Sequence, residues 1–203
     1  MNEASHQAVA VAREAQRRTD PMELLQRCAH RGLTLATAES LTAGSLTARI
    51  ADVPGASAVL LGGVVAYCNE VKESLLGVDP ELLESKGAVD SGVAASMARG
   101  AATRIGAELG ISTTGVAGPE PHQGKDVGTV YLGLAIRSEQ VERLGLSLPE
   151  GCEGTDMEGW LSGSLLLDLD GDRSAIRNAT VEEALRLMEG CLLTESPGFL
   201  QAR

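Results

Sequence analysis

Residues 33–51, LTLATAESLTAGSLTARIA, decide the fold class of this 203-residue chain. Leu33 to Ala38 is a short run of the kind that forms a buried strand, and Thr42 to Ala51 has the apolar spacing of a helix. Glu39 and Ser40 lie between the two runs. The stretch therefore predicts a strand, a turn and a helix in close succession.

The rest of the chain continues this alternation. Strands are predicted over Val59–Tyr67, Ile111–Thr114, Val127–Ile136, Val141–Leu148 and Leu165–Leu169. Helices are predicted from Asp20-Pro21 to near Gly32, after Asp79-Pro80, from Asp90 to about Leu109 and from Asp172 to about Met188. The polar segment Cys68–Ser74 is predicted to be a turn, and Gly115–Asp126 a loop.

This order of elements predicts an α/β fold, a three-layer α/β/α sandwich with a mixed sheet. The length fits a single domain over residues 21–190, with an N-terminal extension over residues 1–20 and a C-terminal tail over residues 191–203.

Composition disfavours several classes of partner. The net charge of −11 argues against binding to nucleic acid or to an anionic membrane surface, since both need clustered Lys and Arg. Ser138 to Asp172 carries nine carboxylates against the single base Arg143, which predicts an exposed hairpin or loop. The most apolar stretch, Ala58 to Tyr67, is too short to span a membrane, and the N-terminus lacks the apolar run of a signal peptide. We expect a cytoplasmic protein with reduced cysteines.

Common metal and cofactor motifs are missing. Gly118 to Lys125 has the wrong spacing for a phosphate-binding P-loop, and no Gly-x-Gly-x-x-Gly follows a predicted strand. His6, His30 and His122 form neither a metal-binding set nor a Ser-His-Asp triad. These patterns therefore give no sign of a metal or dinucleotide site.

Polar residues follow three predicted strands, where α/β sheets bind ligands. Ser40 precedes a helix whose free N–H groups could stabilise an oxyanion, although capping that helix is the simpler explanation of its position. Lys72 is one of three lysines against fourteen arginines, and a desolvated Lys can act as a base; a solvated surface Lys is the simpler alternative. Tyr67, taken alone, is as consistent with a core residue whose hydroxyl reaches water as with a functional residue.

Three segments taken together resemble one protein family. They are Ala38-Glu39-Ser40-Leu41-Thr42-Ala43-Gly44, Tyr67-Cys68-Asn69-Glu70-Val71-Lys72 and Thr114-Gly115-Val116-Ala117-Gly118-Pro119. In order, spacing and residue type they are similar to the CinA C-terminal domain family. That family includes stand-alone nicotinamide-nucleotide amidohydrolases and the C-terminal halves of competence/damage-inducible proteins. The resemblance covers roughly residues 21 to 190, and without the larger N-terminal half the chain is similar to the stand-alone form.

The resemblance implies an amidohydrolase that converts nicotinamide mononucleotide to nicotinic acid mononucleotide and ammonia without a metal or cofactor. It assigns the nucleophile to Ser40, the base to Lys72 and a supporting hydroxyl to Tyr67. Substrate contacts are expected at Glu39, Thr42, Gly44, Asn69, Thr114, Gly115, Ala117, Gly118, Arg173 and Arg177. A homodimer or larger assembly is also implied, and the Ala-rich helix after Asp90 offers small residues for close packing between subunits.

Arg173 and Arg177 are predicted to bind the substrate phosphate. They are four residues apart, so both can lie on one helix face, and Arg can donate two hydrogen bonds to a phosphate at once. Asp172 is expected to cap this helix. The alternative is that the two arginines balance surface carboxylates.

The sequence departs from the family pattern at Ala43, where Gly is common, and over residues 119–127, PEPHQGKDV. The acidic segment 151–159 is longer than is typical and is expected to be mobile. Because Ser40, Tyr67 and Lys72 are all present, an active enzyme is favoured. The alternatives are a catalytically silent nucleotide-binding module, a different amidase or nucleotide pyrophosphatase, and a purely structural interaction protein.

Overall fold

Helices and strands follow one another along residues 19–193, the part of the chain that the computed structural model describes. The helices are α1 (Pro21–His30), α2 (Ser45–Ala51), α3 (Asn69–Leu76), α4 (Pro80–Lys86), α5 (Ser91–Ile105), α6 (Ser138–Leu144) and α7 (Arg173–Leu193). The strands are β1 (Leu35–Glu39), β2 (Leu60–Val65), β3 (Leu109–Gly115), β4 (Thr129–Arg137), β5 (Glu153–Met157) and β6 (Trp160–Asp168).

The strands form one mixed sheet in the order β2-β1-β3-β4-β6-β5. Strands β2, β1 and β3 are parallel to one another. The other three pairs of neighbouring strands, β3 with β4, β4 with β6 and β6 with β5, are antiparallel. Parallel strands end at the same edge of a sheet, which is where α/β proteins bind ligands. The residues that follow β1, β2 and β3 therefore meet at one edge.

Helices cover both faces of the sheet, which confirms the predicted single α/β sandwich. One apolar core joins the sheet to α1, α2 and α7, and a second joins it to α3, α4 and α5. The carboxylate of Asp172 accepts a hydrogen bond from the Ala175 amide at 2.8 Å at the start of α7, so the predicted cap is present.

Small residues of α5 serve packing within the chain. A Cβ added at Gly100 would lie 2.0 Å from the carbonyl oxygen of Leu76, and a Cβ at Gly133 would lie 2.1 Å from that of Ala94. These glycines let α5 approach α3 and β4 more closely than any side chain would allow. The alanines of α5 at positions 94, 98, 101 and 102 are buried inside the domain and are not available to a second subunit, and packing of the other small residues of α5 against a second subunit stays a prediction.

Helix α3 replaces the turn predicted over Cys68–Ser74. Its buried face consists of Lys72 and Leu76, which are four residues apart, and it ends at Gly77 in the left-handed conformation. The helical spacing was hidden in the sequence because one of the two buried positions is a lysine.

The strand predicted over Val141–Leu148 is also wrong. Helix α6 occupies Ser138–Leu144 and ends at Gly145, again with a positive φ. Val141 and Leu144 are half-buried against the core at helical spacing. A short apolar run of this kind does not separate a strand from a helix.

The acidic segment forms the outer edge of the sheet. Strand β5 pairs with β6, and its five residues are all exposed. Only part of the exposed hairpin or loop predicted over Ser138–Asp172 is therefore confirmed, because β5 is exposed while α6 begins the segment and much of β6 is buried. The mobility of residues 151–159 stays a prediction. No helix within residues 19–193 combines the length and apolarity needed to cross a membrane.

Candidate active site

A cavity opens at the edge where β1, β2 and β3 end. Its volume is ≈ 760 Å³, within the range of roughly 300–1,000 Å³ that small-molecule sites occupy. Residues from four regions line it: Ser40 and Leu41 after β1, Tyr67 to Glu70 and Lys72 after β2, Thr114 to Gln123 at the end of β3 and in the loop that follows, and Ala88, Val89 and Arg173. The three polar segments singled out in the sequence are therefore brought together.

Ser40 and Lys72 are in direct contact. The Nζ atom of Lys72 lies 3.2 Å from the Oγ atom of Ser40, although the residues are 32 positions apart in sequence. The amide of Ser40 donates to the carbonyl of Thr113 at 2.9 Å, which extends the pairing of β1 with β3 by one residue and holds the serine at the mouth of the cavity. A hydroxyl and an amine at this distance can exchange a proton.

Lys72 is 1% exposed, and burial lowers its pKa from the usual value of 10.5. The nearby Cys68 and Glu70 act in the opposite direction. Nζ also donates to the carbonyl oxygens of Ala66 at 2.8 Å and Tyr67 at 3.4 Å. A neutral amine has two N–H donors and one lone pair, so these two carbonyls leave the lone pair for the Ser40 hydroxyl.

The carbonyl of Tyr67 accepts a hydrogen bond from Lys72, whereas the hydroxyl of Tyr67 binds a different residue. The side chain is 58% exposed, and its hydroxyl accepts a hydrogen bond from Nη2 of Arg173 at 2.8 Å. Arg173 also donates to the carbonyl of Gly118 at 2.7 Å. Arg173 thereby joins the α7 end of the cavity wall to the loop after β3.

Four residues expected to contact substrate lie outside the cavity lining: Glu39, Thr42, Gly44 and Arg177. The buried carboxylate of Glu39 accepts hydrogen bonds from the amides of Gly44 at 2.9 Å, Leu46 at 3.0 Å and Thr47 at 2.7 Å. These amides begin α2, so Glu39 occupies the helix terminus that the sequence suggested for an oxyanion.

Thr42 and Arg177 also bind protein groups. The Thr42 hydroxyl lies 2.7 Å from that of Thr113. Arg177 donates to the carbonyls of Leu41 and Thr42, each at 2.9 Å, and to the Ser45 hydroxyl at 3.2 Å. These residues support the turn that carries Ser40.

The remaining expected residues, Asn69, Thr114, Gly115, Ala117 and Gly118, do line the cavity. The buried Thr114 hydroxyl donates to the carbonyl of Ala88 at 2.6 Å. The amides of Ala117 and Gly118 make no hydrogen bond to any of the described residues. They remain free to bind an anionic ligand.

Several further lining residues were not among the predicted site residues, and two of them, Gln123 and Glu70, have specific interactions. Gln123 accepts a hydrogen bond from the Ala88 amide at 3.1 Å and ties the loop after β3 to the turn before α5. Glu70 lies two residues before Lys72 in α3 and influences its pKa. Among residues 19–193, no cluster of His, Cys, Asp and Glu has the arrangement of a metal site.

Comparison with known proteins gives one consistent family. A family model described as the CinA C-terminal domain matches residues 19–155. A CinA-like protein from Frankia casuarinae is 46% identical over 162 residues, which cover 80% of this chain and 32% of the relative. A CinA-like protein from Geobacter sulfurreducens is 43% identical over 165 residues, which cover 81% and 35%. The chain thus spans about a third of these curated relatives, 32% and 35% of their lengths.

Solved structures agree in fold over most of the chain. A CinA superfamily protein from Klebsiella pneumoniae has a TM-score of 0.72 at 26% identity, covering 85% of this chain and 94% of the other. A competence/damage inducible protein from Agrobacterium tumefaciens has a TM-score of 0.66 at 32% identity, covering 83% and 93%.

Proposed function

Since the chain belongs to the CinA C-terminal domain family, we propose that it is an amidohydrolase that converts nicotinamide mononucleotide to nicotinic acid mononucleotide and ammonia. The contact between Ser40 and the buried Lys72 carries the proposal, because it joins a nucleophile to a base whose pKa is lowered. The choice of substrate follows from the family resemblance.

Neutral Lys72 takes the proton of the Ser40 hydroxyl while Oγ attacks the carboxamide carbon. A tetrahedral intermediate forms, and it collapses when Lys72 returns the proton to the leaving nitrogen, which departs as ammonia. Water, with Lys72 again as base, then hydrolyses the acyl ester on Ser40 and releases the carboxylate product. The supporting role of the Tyr67 hydroxyl stays a prediction, since its hydrogen-bond partner is Arg173.

The nucleotide end of the substrate is proposed to lie against the loop after β3. The free amides of Ala117 and Gly118 and the guanidinium of Arg173 line this part of the cavity. Arg173 donates to two neutral oxygens, the Gly118 carbonyl and the Tyr67 hydroxyl, and a phosphate dianion is a stronger acceptor than either. In a chain of net charge −11, an anionic substrate needs such a local positive site.

The function is tested by incubation of the protein with nicotinamide mononucleotide while ammonia and the acid product are measured. Equal amounts of both are expected. Ser40→Ala should abolish turnover, and Lys72→Arg should lower kcat by roughly 10²–10⁴-fold, because Arg keeps the charge but cannot release a proton. Exposed Ser85 and Lys86 of α4 lie outside the cavity lining, so Ser85→Ala and Lys86→Arg are matched controls that should leave turnover unchanged.

Wild-type-like turnover in Ser40→Ala would refute the nucleophile. Binding of nicotinamide mononucleotide without any turnover by the wild type would instead favour a silent nucleotide-binding module. Insensitivity of the turnover to a chelator would count against a metal-dependent pyrophosphatase.

A further inference from the structure

Arg177 of α7 forms hydrogen bonds with the turn that carries Ser40. The guanidinium directs its Nε and Nη2 donors at the carbonyls of Leu41 and Thr42, each at 2.9 Å. No carboxylate of residues 19–193 lies within ion-pair distance of Arg177, and the residue does not line the cavity. Its hydrogen bonds to described residues go to this turn and to the Ser45 hydroxyl at the start of α2.

These bonds fix the direction of the peptide units beside the nucleophile. The C=O and N–H of a trans peptide point in opposite directions. A Leu41 carbonyl that faces Arg177 therefore turns the Thr42 amide away from Arg177. The Ser40 carbonyl, which accepts from the Ala43 amide at 3.1 Å, likewise fixes the direction of the Leu41 amide.

The amides of Leu41 and Thr42 make no hydrogen bond to any described residue, although both residues are buried. Buried amides are almost always paired, so an unpaired couple beside a nucleophile indicates donors kept for a ligand oxygen. The alternative donors at the start of α2, the amides of Gly44, Leu46 and Thr47, are all bound to Glu39.

We infer that Arg177 is a positioning residue for an oxyanion site formed by the Leu41 and Thr42 amides. The inference rests on the proposed amide hydrolysis, in which the carbonyl oxygen becomes an oxyanion. Arg177 holds the donors in place before the reaction, and its positive charge beside the carbonyls polarises the same peptide units, so their N–H groups donate more strongly. This assignment replaces the phosphate role expected for Arg177.

The test measures separately how a substitution changes kcat and how it changes KM, for nicotinamide mononucleotide and for nicotinamide riboside, which has no phosphate. Arg177→Met should lower kcat by about tenfold to 10²-fold for both substrates with little change in KM, short of the roughly 10²–10³-fold loss when an oxyanion donor is deleted outright. Added guanidinium chloride should restore part of the kcat. Arg186→Met is the matched control, since Arg186 lies on the same helix and pairs with Glu183. It should leave both constants unchanged.

A rise in KM confined to the mononucleotide would show that Arg177 reads the phosphate and would overturn the inference, as would an unchanged kcat. Arg177→Lys decides the same question if the Met variant does not fold, because Lys can reach one carbonyl but cannot reproduce the planar fork. It should lower kcat by a smaller factor at constant KM, and a wild-type kcat would again contradict the assignment.

Failure of the proposed function is a separate result. If the wild type releases no ammonia, the rate at which phenylmethylsulfonyl fluoride labels Ser40 reports on the oxyanion site instead, because sulfonylation also develops negative charge on oxygen. Slower labelling in Arg177→Met than in Arg186→Met supports the inference. Equal rates overturn it.

Discussion

Lys72 is subject to opposing influences that can be separated by mutation. Burial lowers its pKa from 10.5, and the neighbouring Cys68 and Glu70 raise it. Only the neutral amine can accept the Ser40 proton, so kcat/KM should rise with pH along a limb centred below 10.5. A flat profile from mildly acid to mildly alkaline buffer would contradict Lys72 as the base.

Replacement of Glu70 by Gln should move that limb to lower pH. The carboxylate stabilises the charged lysine, so its removal lowers the pKa of Lys72 further and increases the neutral fraction at a given pH. The measurement is kcat/KM against pH for wild type, Glu70→Gln and the control Glu73→Gln, an exposed carboxylate on the same helix that does not influence Lys72. An upward shift in Glu70→Gln, or an equal shift in the control, would be inconsistent with this account.

Residue type and place alone favoured a helix cap for Ser40 and a surface lysine for Lys72. The family resemblance assigned their roles, but it did not show which of their neighbours face the cavity. Glu39 and Ser40 are adjacent at the end of a strand, and successive side chains there point to opposite sides. Ser40 consequently lines the cavity while Glu39 is buried under α2. Arg173 and Arg177 also differ in this respect, since only Arg173 lines the cavity. The partner of each arginine depends on the turn packed against α7, which the sequence does not specify.

At the scale of elements, the turn between β1 and α2 contains a strained position. Ala43 has φ 52, in the left-handed region that costs a residue with a Cβ about 1–2 kcal/mol. Glycine adopts this conformation freely but loses roughly 0.5–1 kcal/mol through its greater freedom in the unfolded chain. Ala43→Gly should therefore raise the free energy of unfolding by about 0.5–1 kcal/mol.

Urea denaturation of the two proteins measures this difference. Ala95→Gly is the matched control, since Ala95 is a half-buried residue within α5, where the same change should destabilise by about 1 kcal/mol. A loss of stability in Ala43→Gly would mean that contacts of the Ala43 methyl group outweigh the strain. The expected gain of stability would instead give the family preference for Gly at this position a backbone explanation.

The elements that could be predicted were those with strong local signals. Aspartate caps predict α1, α4, α5 and α7, and short apolar runs predict β1, β2 and β3. Helices α3 and α6 could not be predicted because each buries a polar residue, Lys72 in one and Gln140 in the other. Lys72 is held by a contact with Ser40 of another element, and a local pattern does not contain such a contact.

At the scale of the whole molecule, the two edges of the sheet differ in charge. Strand β5 carries Glu153 and Asp156 along its exposed length, and such charges prevent an edge from pairing with another strand. Strand β2, LLGGVV, has no charged residue, and no strand of residues 19–193 pairs with its outer side. Leu61 and Val65 are 46% and 49% exposed there.

The assembly implied by the family resemblance is therefore expected to form through β2 of two copies paired antiparallel across a twofold axis. Each copy carries a net charge of −11, so copies repel except where an uncharged surface meets its equivalent. Light scattering should give twice the monomer mass for the wild type and the monomer mass for Leu61→Lys, which places like charges near each other across the axis. Leu166→Lys is the control, because Leu166 on β6 is 56% exposed but lies away from β2, and it should remain a dimer. A monomeric wild type, or a dimer that Leu166→Lys dissociates and Leu61→Lys does not, would exclude the β2 edge as the interface.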